Sequence, residues 1–181
     1  MYFSVPEKST VQRSFGHAEK LAERYFVLGS GGIRSLRYEV QTLAHLNEAE
    51  IREDAFAHLC RYYCRKEGRD DHPHNYYFYK VCLQDNRILD AVERGSSFIK
   101  LGPLMLYIAL HELVHVVRFH SGDVDFDASM EEKILEEDRV HGITRNILHP
   151  IGDPDVNLVI DCFTERYHVG DIFTVAPEQR N

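Results

Sequence analysis

The chain has 181 residues, 44% of them hydrophobic, which is enough to bury a core in one domain. Its 29 acidic and 21 basic residues leave a net charge of −8, and it has no Lys/Arg block or basic–aromatic interleaving, so the electrostatic footprint of a nucleic-acid binder is excluded. Four cysteines, at 60, 64, 82 and 162, are too sparse for a disulfide framework and suit a reducing cytoplasm. The opening MYFSVPEKSTVQRSF contains no apolar stretch of the kind a secretory signal needs.

In chain order, residues 16–28 have helical periodicity and predict an opening helix, which GSGG at 29–32 ends. Helices are expected over 35–46 and 49–66, the second carrying Ile51, Phe56, Leu59, Cys60 and Tyr63 as packing residues. Tyr62, Tyr63, Tyr76, Tyr77 and Tyr79 read as core and interface aromatics. On such a helix Cys60 and Cys64 share a face. With His72 and His74 they can be drawn as a structural metal cluster, although CxxxC is not the usual knuckle spacing and buried, apolar-like cysteine is the commoner state. The run YYFYKVCL at 76–83 is aromatic and β-branched enough for a strand, with QDNR as a turn and ILDAV returning as a short partner. A hairpin there would wall a cleft and offer its free edge to an extended peptide.

The informative stretch follows. LGPLMLYIALHELVHVVRF, at 101–119, holds only two formally charged residues, Glu112 and Arg118, so it predicts a buried helix. Upstream of His111 the apolar run is interrupted by Lys100 and is shorter than the roughly 20 residues a membrane span requires, so a soluble protein is expected. Within the run lies HELVH. His111 and His115 are one helical turn apart and can reach one cation, while Glu112 sits beside them as a general base that need not be a ligand. An ionised glutamate between two histidines in an apolar helix costs several kcal/mol unless something compensates it, and a divalent cation does so.

A catalytic zinc commonly takes three protein ligands and a water. The short-spacing pattern HExxHxxGxxH fails here, because Arg118 stands where glycine is needed and Ser121 where histidine is needed. The next loop, HSGDVDFDAS, alternates acids at 123, 125 and 127 but lacks the glycine and terminal glutamate of an EF-hand, so it reads as a solvated connection. Residues 129–148 then predict a second helix, N-capped by Ser129, with Glu131 and Glu132 in its first turn and Pro150 as its stop. Glu137 lies on a stripe with Ile134, His141 and Leu148 and is the preferred third ligand, with His141 one turn later as its supporting neighbour. Glu136 is the rival, on the stripe of Val140, Ile143 and Ile147, and His141 is a ligand candidate in its own right.

HELVH followed by a glutamate on the next helix resembles the zincin metallopeptidases, in particular the gluzincin-like branch, over about residues 98–148. Families of that branch carry an Asp or similar polar group four residues after the third ligand; here that position is His141. The resemblance implies Zn2+ as cofactor, a peptide or protein as substrate, and peptide-bond hydrolysis with Glu112 as base. Donors to a tetrahedral intermediate are sought in Tyr167, His168 and His149, and acceptors for the ligand imidazoles in Asp161 or Glu165.

The expectation is therefore an α+β, mostly helical domain over 1–181, with a helical part at 1–70, a small antiparallel hairpin and the metal-site helices at 71–150, and a C-terminal helix and tail. Its expected activity is that of a cytoplasmic zinc hydrolase. A zinc-holding sensor whose fourth position is closed by His141 or His149, and a partner-binding module with a degenerate motif, are the competing readings.

Overall fold

The computed structural model describes residues 1–29, 31–66, 74–95, 98–164 and 174–175. The first helix, α1 (Val5–Phe26), begins well before the predicted position. Ser4 starts it: its backbone N–H and its hydroxyl both donate to the Glu7 carboxylate, at 2.6 and 2.7 Å, and Pro6 occupies the first turn, where a missing N–H does no harm. Val11, Phe15, Ala18 and Ala22 then recur at helical spacing and are buried.

Two of the expected helices are strands instead. After a 3-10 turn at Gly32–Leu36 come β1 (Tyr38–Thr42) and β2 (Ala57–Lys66), with short 3-10 turns at Leu43–His45 and Glu48–Glu50 between them. The competing period wins here. Leu59 alternates with His58 and Cys60, and an aromatic, β-branched or sulfur-bearing side chain every second residue suits a pleat better than a helix. Cys60 and Cys64 therefore lie on a strand, not a helix face. The strand β3 (His74–Leu83) contains the predicted 76–83 run, but its antiparallel partner is β2 upstream, with Ala57 opposite Leu83 and His58 opposite Cys82. Residues expected to form the returning strand make α2 (Asp85–Arg94). Its buried Asp85, Ile88 and Leu89 follow helical spacing, and Asp85 accepts the N–H groups of Phe3 and Leu43 at 3.1 and 3.0 Å, fixing the helix start against two other segments.

The sheet order is β1-β3-β2-β4, where β4 is Thr174–Val175, and β1 runs parallel to β3. Both edges of β3 are therefore paired, and the expected hairpin with a free edge does not form. The fold is α+β and mostly helical, as expected, and the remaining helices are α3 (Leu101–Ser121), α4 (Met130–Leu148) and α5 (Pro154–Thr164).

One sheet face packs on the helices. Tyr79 of β3 stacks on Phe119 of α3 with ring centroids 6.1 Å apart, and Leu59, Val81 and Leu83 are fully buried in the same cluster. α3 is central, with every residue from Leu104 to Phe119 buried. Among the described residues it is the one helix long and apolar enough to cross a membrane, yet 83% of that window is buried inside the protein, which is compatible with a soluble chain. Gly122 ends it in the left-handed region at φ 73°, and the connection turns back through Phe126, which is buried. The acids of this loop are engaged separately: Asp123 with Arg118, Asp127 with Arg61, and Asp125 with the backbone N–H of Asp127. They do not converge as a cation loop would. Ser129 caps α4 as expected, in a reciprocal box with Glu132.

Candidate metal centre

The site is assembled from two helices by the same rule applied twice. On α3, Tyr107, His111, His115 and Phe119 recur every fourth residue and form one line of rings, with His111 and His115 centroids 4.8 Å apart. On α4, Glu137 and His141 are likewise one turn apart and face that line. The Nε2 atoms of His111 and His115 lie 3.1 Å from each other. Glu137 Oε1 is 3.1 Å from His115 Nε2, and its Oε2 is 3.3 Å from His111 Nε2. Four nitrogen or oxygen ligands at the usual 2.0–2.1 Å from a tetrahedral zinc stand about 3.3–3.4 Å apart. The three side chains thus converge with the spacing of three corners of such a tetrahedron. The donor set of two imidazoles and a carboxylate fits zinc, and the residues present fit the ion.

The charges of the site are compatible with a cation. His111, Glu112 and His115 are each at most 4% exposed. Burial raises the Glu137 carboxyl, but His115 and His111 facing it more than offset this and hold it well below the usual carboxylate range. His115 is pushed down by burial, and His141 is pushed down by burial and then by neighbouring His111, so both imidazoles favour the neutral form that ligates metal. Among the described residues, the ion-pair partners of Glu137 are His111, His115 and His141, and no Lys or Arg reaches it.

Glu136 is accounted for elsewhere. It is 1% exposed, and Arg118 of α3 clamps it with two bonds, Nε to Oε1 at 2.5 Å and an amino group to Oε2 at 3.0 Å. A second arginine, Arg139, approaches it at 3.6 Å. Arg118 also holds Asp123 at 3.2 Å. The neighbouring glutamates of α4 therefore face different partners, one a guanidinium and the other two imidazoles. In the sequence Arg118 stands out as one of two charges in an apolar run and as the residue that defeats the HExxHxxGxxH spacing; the further signal it carries is that a buried arginine requires a carboxylate.

His141 belongs to the same cluster: its ligand atom and those of His111 and Glu137 lie within 4.8 Å of one another. Its ring is 4.2 Å from that of His111, its Nε2 is 3.9 Å from Glu137, and its Nδ1 is 2.6 Å from the Tyr107 hydroxyl. Tyr107 is in turn stacked on Phe163 of α5 at 4.3 Å. A small cavity opens between Tyr107, Ile108, His111, Glu112, His141 and Phe163, bounded by Phe56 and Ala57 where β2 begins. Glu112 lines it beside His111. Tyr107 and Phe163 had no role in the sequence reading. Tyr107 was detectable as the residue one turn before His111, but Phe163 had no signal.

Tyr167, His168 and Glu165 lie outside the described residues, as do His72 and the side chain of His74. His149 is exposed at the end of α4, and Asp161 is exposed on α5.

Neutral, buried histidines impose a pH dependence. The folded pKa values of His115 and His141 are lowered, whereas the unfolded chain binds their protons near pH 6.5. Below that pH the unfolded state carries more protons, so stability falls as pH falls. Denaturant unfolding of the chelator-treated protein is expected to show a midpoint that is level above about pH 7 and declines below about 6.5. The Glu137 contribution, present above its unfolded pKa, is lost at still lower pH. An unchanging midpoint between about pH 7.5 and 5.5 would contradict the burial of neutral imidazoles.

Comparison with known proteins returns no match: no family model, no curated relative and no solved structure aligns significantly with the chain.

Proposed function

We propose that this protein is a zinc-dependent hydrolase acting on peptide bonds, with His111, His115 and Glu137 as ligands and Glu112 as general base. The observation that carries the reading is the triangle of ligand atoms at 3.1–3.3 Å, with the rival Glu136 sequestered by Arg118. Bound there, zinc would lower the pKa of a water in its open position and polarise a substrate carbonyl. Glu112, on the cavity wall, would hold a water beside the ligands, accept its proton and return it to the leaving amine. His141 lines the same cavity and, with Nε2 protonated, can donate to the oxygen that gains charge. Phe163 and Phe56 supply apolar walls that limit water, and a substrate in the cavity lies alongside the start of β2. Low cysteine density, with none of the four in a disulfide, supports a cytoplasmic setting.

A second reading rests on one distance. With His141 Nε2 only 3.9 Å from Glu137, a small inward shift makes it a fourth ligand and closes the site as a zinc-binding module without an open position.

Metal analysis and a peptide-cleavage screen test the proposal together. The parent is expected to hold zinc and to cleave peptides in a chelator-sensitive way, with Glu137→Ala losing one zinc per chain and Glu136→Ala keeping it. Zinc retained without any hydrolysis would favour the closed site, and zinc lost from Glu136→Ala but not Glu137→Ala would refute the ligand assignment.

A further inference from the structure

The sheet face turned away from α3 carries a second cluster of ligand-type side chains. His58 and Cys60 are two residues apart on β2 and so point to the same side, and Cys82 stands directly opposite His58 on β3. All three are at most 2% exposed. Cys60 Sγ lies 3.8 Å from Cys82 Sγ and 3.5 Å from His58 Nε2, and the ligand atoms of all three residues are within 4.8 Å of one another.

These separations can be compared with coordination geometry. Two thiolates at about 2.3 Å from a tetrahedral zinc stand about 3.8 Å apart, and a thiolate and an imidazole nitrogen stand about 3.5–3.6 Å apart. A core packing role would not account for the histidine. Thiols are weak hydrogen-bonding partners, so the buried Nε2 of His58, which faces the Cys60 sulfur, is poorly satisfied without a cation. The neighbouring carboxylate does not supply the missing interaction, because Glu50 is engaged by Lys80 at 2.7 Å, by Tyr62 and by the Asn47 backbone N–H. Charge balance also favours zinc: two thiolates, a neutral imidazole and Zn2+ sum to zero, so the filled site buries no net charge.

We propose that His58, Cys60 and Cys82 form a second zinc site, independent of the HELVH centre, which pins β2 to β3 on the face away from α3. His58 adjoins Ala57 at the cavity boundary, so the pin also fixes the strand that borders the candidate active site. The described residues supply two sulfurs and one nitrogen, and the fourth position takes a water or another light-atom donor. Thiolate ligands select zinc over harder divalent ions.

The test is zinc stoichiometry and zinc-edge X-ray absorption on reduced protein supplied with zinc alone. The parent is expected to hold about two zincs per chain and to show sulfur scattering at about 2.3 Å. Cys60→Ser/Cys82→Ser is expected to lose about one zinc and all the sulfur signal, and His111→Ala/His115→Ala about one zinc with the sulfur signal kept. Absence of zinc–sulfur scattering in the parent overturns the proposal, and that measurement stands even where the cysteine variant fails to fold. Unchanged zinc content in a folded cysteine variant overturns it equally, whatever the histidine variant shows.

Discussion

Glu112→Gln is expected to lower peptide hydrolysis by about 10²–10⁴-fold, the usual contribution of a positioned general base, while zinc content stays at the parent value. The substitution keeps the shape of the side chain in a place where only 4% of it is exposed, so little repacking is needed. It removes the one property the mechanism uses, the ability to accept a proton at neutral pH. Glu112 is adjacent in sequence to His111 but is not part of the triangle that His111, His115 and Glu137 make, so binding and chemistry should separate cleanly. The measurement pairs elemental analysis with cleavage rates for one peptide under identical zinc loading. Activity within a few-fold of the parent would remove Glu112 from the mechanism. Loss of both zinc and activity would instead make it a structural partner of the ligands.

The second large effect is on stability. Arg118→Met should cost about 3–5 kcal/mol, because it leaves the carboxylate of Glu136 buried without its guanidinium. For a chain of this length that corresponds to a fall in melting temperature on the order of 10 °C. The partner change Arg118→Met/Glu136→Leu should recover much of the loss, since replacing a whole buried pair by apolar groups is often close to neutral. Calorimetry on the parent, the single and the double variant gives the cycle. A single variant that melts within a degree or two of the parent would show that Arg139 or water compensates Glu136 adequately. In the same assay Glu137→Ala is expected to change zinc content far more than it changes the melting of chelated protein, and this contrast separates two adjacent glutamates with opposite jobs.

The sequence was informative where one periodicity dominated. α3 announced itself by its apolar length and HELVH, and α4 by Ser129, its acidic first turn and Pro150, so the pairing of His111 and His115 with a residue of the next helix was legible. The choice between Glu136 and Glu137 rested on stripe arguments alone, because consecutive residues on a helix point to neighbouring faces and only the opposing helix decides between them. Here Arg118 decides. The sheet was largely illegible. Residues 57–66 carry both helix-like and strand-like spacing, and the strand is selected by pairing with β3, a long-range contact that local pattern does not encode. The same error concealed the meeting of His58, Cys60 and Cys82, since Cys82 is far away in sequence and only the register brings it opposite His58.

The bond between Tyr107 and His141 has a consequence of its own. At 2.6 Å one proton lies between the phenol oxygen and Nδ1, and an imidazole holding that proton on one nitrogen leaves the other with a lone pair. When the phenol is the donor, Nε2 carries the ring's hydrogen and cannot ligate a cation. When Nδ1 is the donor, Nε2 presents a lone pair towards Glu137 and the histidine pair. On the proposed reading, the choice between an open centre and a sealed one therefore turns on a tautomer as well as on a small shift of His141, and that tautomer is set by a hydroxyl of α3 one turn before His111.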